Sequence, residues 1–302
     1  GMLSKEWAER LGLKEDIVIS GSSFDAHAGA VGAGIAEKTF VCTMGTSCVD
    51  MFVEKAENLK GKNIQSYCGQ AENSILPGYV GVETGQAAFG DIFAWFKRLL
   101  EWPLNQLSQI RESDISEELY IKVKDQILLM LQEEAERLPD EPFPVALDWF
   151  NGRRYPNTDD AQKSAIVGLS LGMDAPYLYR SLVFGAVCGL YRLIEGFEKQ
   201  QINIEKIIAV GGISKKSPYV MQMLSDLSNR EICILDSDQT CAQGAAMYAA
   251  VAAGIYENLE TAAGHMAAKC IKTYKPNSEK KEWYRKHYQE YLNLAEAVNT
   301  LN

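Results

Sequence analysis

Five short runs in this sequence carry residue types that can do chemistry. The first is Phe24-Asp25-Ala26-His27-Ala28-Gly29, just after an apolar run, Asp16–Gly21 (DIVISG), that reads as a buried strand. A carboxylate at the C-terminal end of a strand sits where layered α/β proteins place ligands. There Asp25 can accept a proton from a substrate hydroxyl. The same side chain can instead cap the Ala-rich helix that follows. His27 reads as a packed or supporting group and not as a catalyst.

The second run is Met44-Gly45-Thr46-Ser47, a tight turn between two β-rich segments. Its N–H and O–H donors suit a phosphate, although an ordinary hairpin turn has the same composition. The third is Gly211-Gly212-Ile213-Ser214-Lys215-Lys216-Ser217-Pro218, which follows the strand-like Lys206–Val210. Paired glycines there let a flat ligand approach the backbone, or form a plain strand-to-helix turn with Pro218 in the first helical turn. Neither the G-x-x-x-x-G-K-[ST] loop nor G-x-G-x-x-G is present. The fourth, Asp236 to Ala246, contains Gln243-Gly244-Ala245-Ala246, whose small residues suit close helix packing. The fifth is Glu83-Thr84-Gly85-Gln86, whose carboxylate can bind sugar hydroxyls or cap a helix.

The elements that must position these runs follow from periodicity. Thr39–Val53 reads as a hairpin around Gly45-Thr46-Ser47, with short strands expected near Pro77-Gly78 and over Val145–Trp149. Glu54–Asn63 and Asn151–Asp160 read as polar loops. Helical spacing covers Thr84–Leu100, Leu119–Leu138, Pro176–Lys199, Ser217–Leu227, Cys241–Ala253, Thr261–Ala268 and Glu279–Ala297. With strands at Lys206–Val210 and Glu231–Leu235, the second half alternates helix and strand. This is the pattern of an α/β layered domain with a mixed sheet and helices on its faces. Gln86 to Pro144 reads as a helical insertion.

The 302 residues are 47% apolar and 23% charged, which excludes a disordered tail or a small disulfide scaffold. A net charge of −10 disfavours general nucleic-acid binding. The longest apolar stretch, Ala245–Ile255, is too short to span a bilayer. Seven cysteines without a C-x-x-C pair read as reduced, mostly buried thiols, and three histidines without ligand spacing give no zinc site. Gly1-Met2 reads as a tag remnant, and the charged, helical Leu3–Asp16 gives no signal peptide. The expectation is a cytoplasmic chain.

Taken together, Asp25-Ala26-His27-Ala28-Gly29, Gly45-Thr46-Ser47, Glu83-Thr84-Gly85-Gln86, Gly211-Gly212-Ile213-Ser214-Lys215-Lys216-Ser217-Pro218 and Gln243-Gly244-Ala245-Ala246 resemble the FGGY family of carbohydrate kinases. Asp148-Trp149-Phe150-Asn151-Gly152-Arg153-Arg154-Tyr155-Pro156-Asn157 adds a more particular match. The resemblance runs from about Ile17 to Leu259. It implies a ribonuclease-H-like (actin-like) fold, with residues 1–302 the C-terminal, nucleotide-binding domain and a helical insertion at about 86–144. The family's N-terminal sugar kinase domain has no counterpart here, so the chain is expected to be a C-terminal fragment, inactive alone.

The resemblance also implies residue roles. Asp25 matches the general base and a substrate contact, and Glu83 a sugar-side carboxylate. Gly45, Thr46, Gly211, Gly212 and Gln243 match positions around ATP; no residue is assigned to a metal. The implied reaction is transfer from Mg²⁺-ATP to the terminal hydroxyl of a ketopentose, L-ribulose foremost. Another ketose or polyol such as xylulose is the alternative substrate. A nucleotide- or sugar-responsive regulator and a sugar-independent ATPase are the alternative functions. The implied partners are the sugar, ATP, the missing N-terminal domain and, in addition, a second copy of the chain.

Overall fold

The computed structural model describes residues 1–59, 63–67, 69–107 and 116–301. Residues 60–62 of the expected polar loop, Cys68, and 108–115 of the expected insertion lie outside the described residues.

Helix α1 (Lys5–Leu11) is followed by α2 (Asp25–Gly32), the hairpin β1 (Thr39–Met44) and β2 (Cys48–Lys55), and the short α3 (Ala56–Leu59). Then come β3 (Gly69–Glu72), β4 (Tyr79–Gln86), α4 (Gly90–Leu107), α5 (Glu117–Arg137), β5 (Val145–Ala146) and β6 (Ile166–Val167). The last part runs α6 (Ala175–Lys199), β7 (Lys206–Val210), α7 (Gly212–Lys216), α8 (Pro218–Ser228), β8 (Ile232–Leu235), α9 (Thr240–Ala252), α10 (Leu259–Met266), β9 (Cys270–Tyr274) and α11 (Lys281–Leu301). Among the described residues the main sheet has seven strands in the order β3-β4-β2-β1-β7-β8-β9. The β1–β7 and β7–β8 pairs are parallel and the others antiparallel, so the sheet is mixed.

Both faces of the sheet are covered, and the strand sequences show why. In β1 and β2, Phe40, Cys42, Met44, Cys48 and Phe52 join one core with α6, α8 and α11. Their alternates Val41, Met51 and Val53 join a second core with α2, α9 and α10. Strands buried on both faces read as continuous apolar runs. The Ala/Gly composition of α2 and α9 serves close approach: a Cβ on Gly244 would lie 1.8 Å from the Ala28 carbonyl oxygen, and one on Gly32 2.0 Å from that of Thr240.

Several expectations are corrected. Asp16–Gly21 is not a buried strand. Val18 makes one bridge with Met2, Ile19 is exposed, and the backbone pairs with Gly1 and Leu3 instead of the sheet. The helix expected from Thr84 begins at Gly90, because Glu83–Gln86 continue β4 against Cys48–Met51. The strand expected over Val145–Trp149 stops at Ala146, where the chain turns to bury Asp148. β9 and the short α3 and α7 were not expected. β9 is exposed at four of its five positions and shows no alternation. Its pairing with β8, irregular between Ile234 and Leu235, brings Cys233 beside Cys270 (Cα–Cα 5.7 Å), and the two form a disulfide, so not all cysteines are free thiols. Cys42, Cys48 and Cys188 are buried free cysteines, whereas Cys241 is exposed.

Asp50 stands fully buried in the middle of β2. The Cys48 thiol donates to its Oδ1 at 3.1 Å, and Oδ2 has no partner. Burial pushes its carboxyl up to about 7, against the smaller opposing effect of the thiol hydrogen bonds. A carboxyl raised in the folded state contributes stability that is complete below its unfolded value near 4 and is lost as pH rises through about 7. Asp50→Asn removes that loss. Its Tm is expected to exceed the wild type at about pH 8.5 and to approach it near pH 5, by thermal unfolding at both. An equal drop at both pH values contradicts this assignment.

Candidate functional site

The sheet topology brings the separate runs to one edge. In the β1–β7 register Thr43 lies opposite Val210, so both strands end together. β8 runs parallel to β7 and ends beside it. Cys48 lies opposite Gln86, so β2 begins and β4 ends at this same edge. Turn 45–47, the Gly211-Gly212 pair and the start of α9 therefore gather where parallel strands end, which is where α/β sheets bind ligands.

The two glycine turns are in contact. Gly211 has φ +95°, and a Cβ there would lie 2.5 Å from the Met44 carbonyl oxygen, so the chain leaving β7 crosses directly over the end of β1. The Gly45–Ser47 turn is held from behind by α4: Phe89 and Asp91 N–H donate to the Thr46 carbonyl, and Gly90 N–H to that of Gly45. These bonds satisfy donors at the α4 N-terminus and occupy the carbonyls of the turn. Gly45, Thr46, Gly211 and Gly212 are all exposed, forming an open ledge.

Asp25 is the first residue of α2 and is exposed. It is not the N-cap: Phe24 holds that position, with no side-chain cap bond. Asp25 Oδ1 accepts the Ala26 N–H at 2.8 Å. Asp25 lies two positions before His27 on α2. Glu83 likewise caps no helix. It lies in β4 opposite Met51, on the face covered by α2, and its side chain is 44% exposed. Its Oε2 lies 3.4 Å from His27 Nε2. The structure thus brings His27 and Glu83 into contact, with Asp25 two positions before His27 at the start of α2.

Gln243 stands in the first turn of α9, at the same edge, but its amide donates to the Met266 carbonyl at the end of α10. Its side chain is held by α10 instead of reaching the ledge. Gly244, beside it, serves the α2–α9 contact.

The sequence reading singled out Asp148 without finding what it does. Asp148 is buried and accepts hydrogen bonds from Tyr291 OH at 2.6 Å and Gln86 Nε2 at 2.7 Å. Burial raises its carboxyl, and these two donors oppose the rise. Gln86 also donates to the Ala186 carbonyl at 3.0 Å. Arg153 of the same run lies over the Trp149 ring and donates to Asn299 of α11. The Asp-Trp-Phe-Asn-Gly-Arg-Arg run therefore fastens α11 and α6 to the site end of β4. No local signal marks this network, because Tyr291 is 143 residues from Asp148.

A cleft of about 840 Å³ lies at the opposite edge, by the start of β1, lined by Lys38, Glu54, Asn58, Gln65 and Gln200 among others. None of the candidate residues touches it. Among the described residues no group of three or more His, Cys, Asp or Glu is placed to hold a metal ion, and no helix is long and apolar enough to cross a membrane.

Comparison with known proteins gives the family and the fold. A ribulokinase of Vibrio parahaemolyticus is 40% identical over 303 residues, covering 100% of this chain and 53% of the relative. A ribulokinase of Anoxybacillus flavithermus is 36% identical over 299 residues, covering 97% and 50%. The chain spans about half the length of the curated relatives it matches. Among solved structures, a xylulose kinase from Rhodospirillum rubrum superposes with TM-score 0.80 at 18% identity, covering 100% of this chain and 56% of that one. A Plasmodium falciparum glycerol kinase gives 0.65 at 16%, covering 89% and 49%. The fold is thus the ribonuclease-H-like, actin-like fold of sugar kinases. The family described as "FGGY family of carbohydrate kinases, C-terminal domain" matches residues 40–253, most of the chain, including the whole ledge and Glu83 but not Asp25 or His27. The chain belongs to the FGGY family of carbohydrate kinases and carries its C-terminal domain.

Proposed function

We propose that this chain is the nucleotide-binding half of a cytoplasmic, ATP-dependent ketopentose kinase, with L-ribulose as acceptor and L-ribulose 5-phosphate as product. One observation carries the reading: the His27–Glu83 contact packs the helix that begins with Asp25 against β4, whose end lies beside the Gly45-Thr46 turn and the Gly211 crossing. Identities of 40% and 36% to two ribulokinases support ribulose over xylulose.

In this reading Asp25 takes the proton of the attacking hydroxyl, with Oδ1 steadied by the Ala26 N–H. Glu83 accepts hydrogen bonds from sugar hydroxyls. The donors of Thr46 face the phosphates, and Gly211 and Gly212 let the nucleotide lie against the backbone. Mg²⁺ enters with ATP, held mainly by phosphate and water oxygens as that ion prefers. Gln243 must release Met266 before its amide can reach a nucleotide.

Phosphoryl transfer depends on positioning and on shielding from water. An open ledge supplies neither, so we assign both to a second half closing over it. Trp7 (51%), Leu11 (56%) and Phe24 (74%), exposed on and beside α1 and α2, are apolar surface that such a partner would cover. We read α4 and α5 as an insertion into this half.

The test is ADP release with Mg²⁺-ATP and a panel of ketopentoses and polyols, for this chain alone and for the two-domain enzyme. The expected result is turnover on L-ribulose by the two-domain enzyme and negligible turnover by the chain alone. Preference for another sugar overturns the substrate, and ATP turnover independent of sugar overturns the reading altogether.

A further inference from the structure

His27 is buried at 8% exposure, and both of its ring nitrogens face oxygen atoms. Nδ1 lies 3.1 Å from the Ser74 carbonyl oxygen, and Nε2 lies 3.4 Å from Glu83 Oε2. The Phe24 ring meets the imidazole edge to face, with centroids 5.3 Å apart. The Ser74 side is itself braced. The loop between β3 and β4 folds back over Gly81, where a Cβ would lie 2.3 Å from Ser74 Oγ. Tyr248 of α9 donates to the Ile75 carbonyl at 3.2 Å. The imidazole therefore stands between an anchored carbonyl and a half-exposed carboxylate.

The hydrogen-bond chemistry of this arrangement is restrictive. A carbonyl oxygen only accepts, so Nδ1 carries a hydrogen toward Ser74. A bare Nε2 would then set its lone pair against an ionised carboxylate. The contact is favourable only with a proton between Nε2 and Oε2.

We infer that His27 is a positioning residue of the sugar edge: anchored on Ser74, it shares a proton with Glu83 and fixes that carboxylate relative to Asp25. It does not touch the reacting atoms. Asp25 and His27 lie two positions apart on α2, whereas Glu83 belongs to β4, so the His27–Glu83 contact joins the two carboxylate-bearing elements. This inference rests on Glu83 being a sugar-side group.

The experiment compares three variants of the two-domain enzyme in steady-state kinetics. His27→Asn keeps a donor near the Nδ1 position but reaches Glu83 with none. His27→Gln places its amide near the Nε2 position. Glu83→Ala removes the group being positioned. Losing a hydrogen bond to a charged group predicts a rise of roughly ten-fold or more in sugar KM for His27→Asn, with ATP KM within about two-fold of wild type. His27→Gln recovers most of the sugar KM, and His27→Asn adds nothing to Glu83→Ala. Unchanged sugar KM in His27→Asn, alongside a raised one in Glu83→Ala, overturns the positioning role and leaves the sugar role of Glu83 standing. Unchanged sugar KM in Glu83→Ala overturns the reading of Glu83 and the inference with it.

A second measurement on this chain needs neither turnover nor a folded His27 variant. With three histidines in the sequence, ¹H–¹⁵N spectra resolve each ring. The His27 Nε2 resonance is expected to be that of a protonated nitrogen and to change in Glu83→Ala. A bare Nε2 indifferent to Glu83→Ala overturns the shared proton.

Discussion

Replacing Asp25 by Asn is expected to lower kcat of the two-domain kinase by about two to four orders of magnitude, the usual contribution of a general base. The substitution is informative because it removes so little else. An Asn keeps an oxygen to accept the Ala26 N–H, so the start of α2 retains its local bond. The side chain is exposed and caps no helix, so stability is expected to stay within about 0.5 kcal/mol. What is lost is the capacity to take the proton of the attacking hydroxyl. Because the Gly45-Thr46 turn and Gly211 belong to other elements, the KM for ATP is expected to hold within about three-fold. Steady-state kinetics with ATP and sugar varied separately decide the matter. A fall below about ten-fold removes Asp25 from the role of base.

The second large effect concerns Gly244. In an unobstructed helix Gly→Ala stabilises by about 1 kcal/mol. At Gly244 the added Cβ would lie 1.8 Å from the Ala28 carbonyl oxygen and 2.6 Å from its carbon, and backbone cannot swing aside as a side-chain tip can. The overlap therefore exceeds the propensity gain. Gly244→Ala is expected to force α9 from α2 and lower Tm by roughly 5–10 °C. Gly264 in α10 is the internal control: it is exposed, and its Cβ would meet nothing within 4 Å. Gly264→Ala is expected to leave Tm unchanged or raise it slightly. Since α2 carries Asp25 and His27, Gly244→Ala also lowers activity, whereas Gly264→Ala does not. Thermal unfolding of the two variants side by side reads the difference, and similar shifts in both contradict the close-packing account.

The parts of the fold that were legible are those whose local pattern and tertiary setting agree. Thr39–Met44 and Cys48–Lys55 are strongly β-forming and flank a turn with Gly45, and they form the central hairpin. Lys206–Val210 leads into glycines that the crossing over Met44 requires. Elements decided by distant partners were misread. DIVISG has a strand's composition but pairs with Gly1–Leu3 instead of the sheet, and Cys270–Tyr274 lacks that alternation yet pairs along β8. The same division runs through the site. Asp25, the Gly45-Thr46 turn and the glycine pair were visible as local runs. The contact of His27 with Glu83 and Ser74 joins segments about 50 residues apart, and no spacing rule reaches that far. Gln243 shows the converse: its place on α9 was legible, but the Met266 carbonyl that holds its amide was not.

The bond between Tyr291 and Asp148 has a consequence for synthesis on the ribosome. Asp148 leaves the peptidyl-transferase centre 143 residues before the hydroxyl that satisfies it. At about 5–20 residues per second, that interval lasts roughly 7–30 s. Throughout it the nascent chain already holds the β1–β2 hairpin and Asp25, while α11 does not yet exist to cover the β5 side of the core. The carboxylate and the apolar surface around it must wait in a partly built domain, exposed to holdase chaperones and to wrong partners. Asp25 and the Gly45-Thr46 turn are thus encoded early in the chain, whereas the buried Asp148 beside the end of β4 is locked by the last described helix.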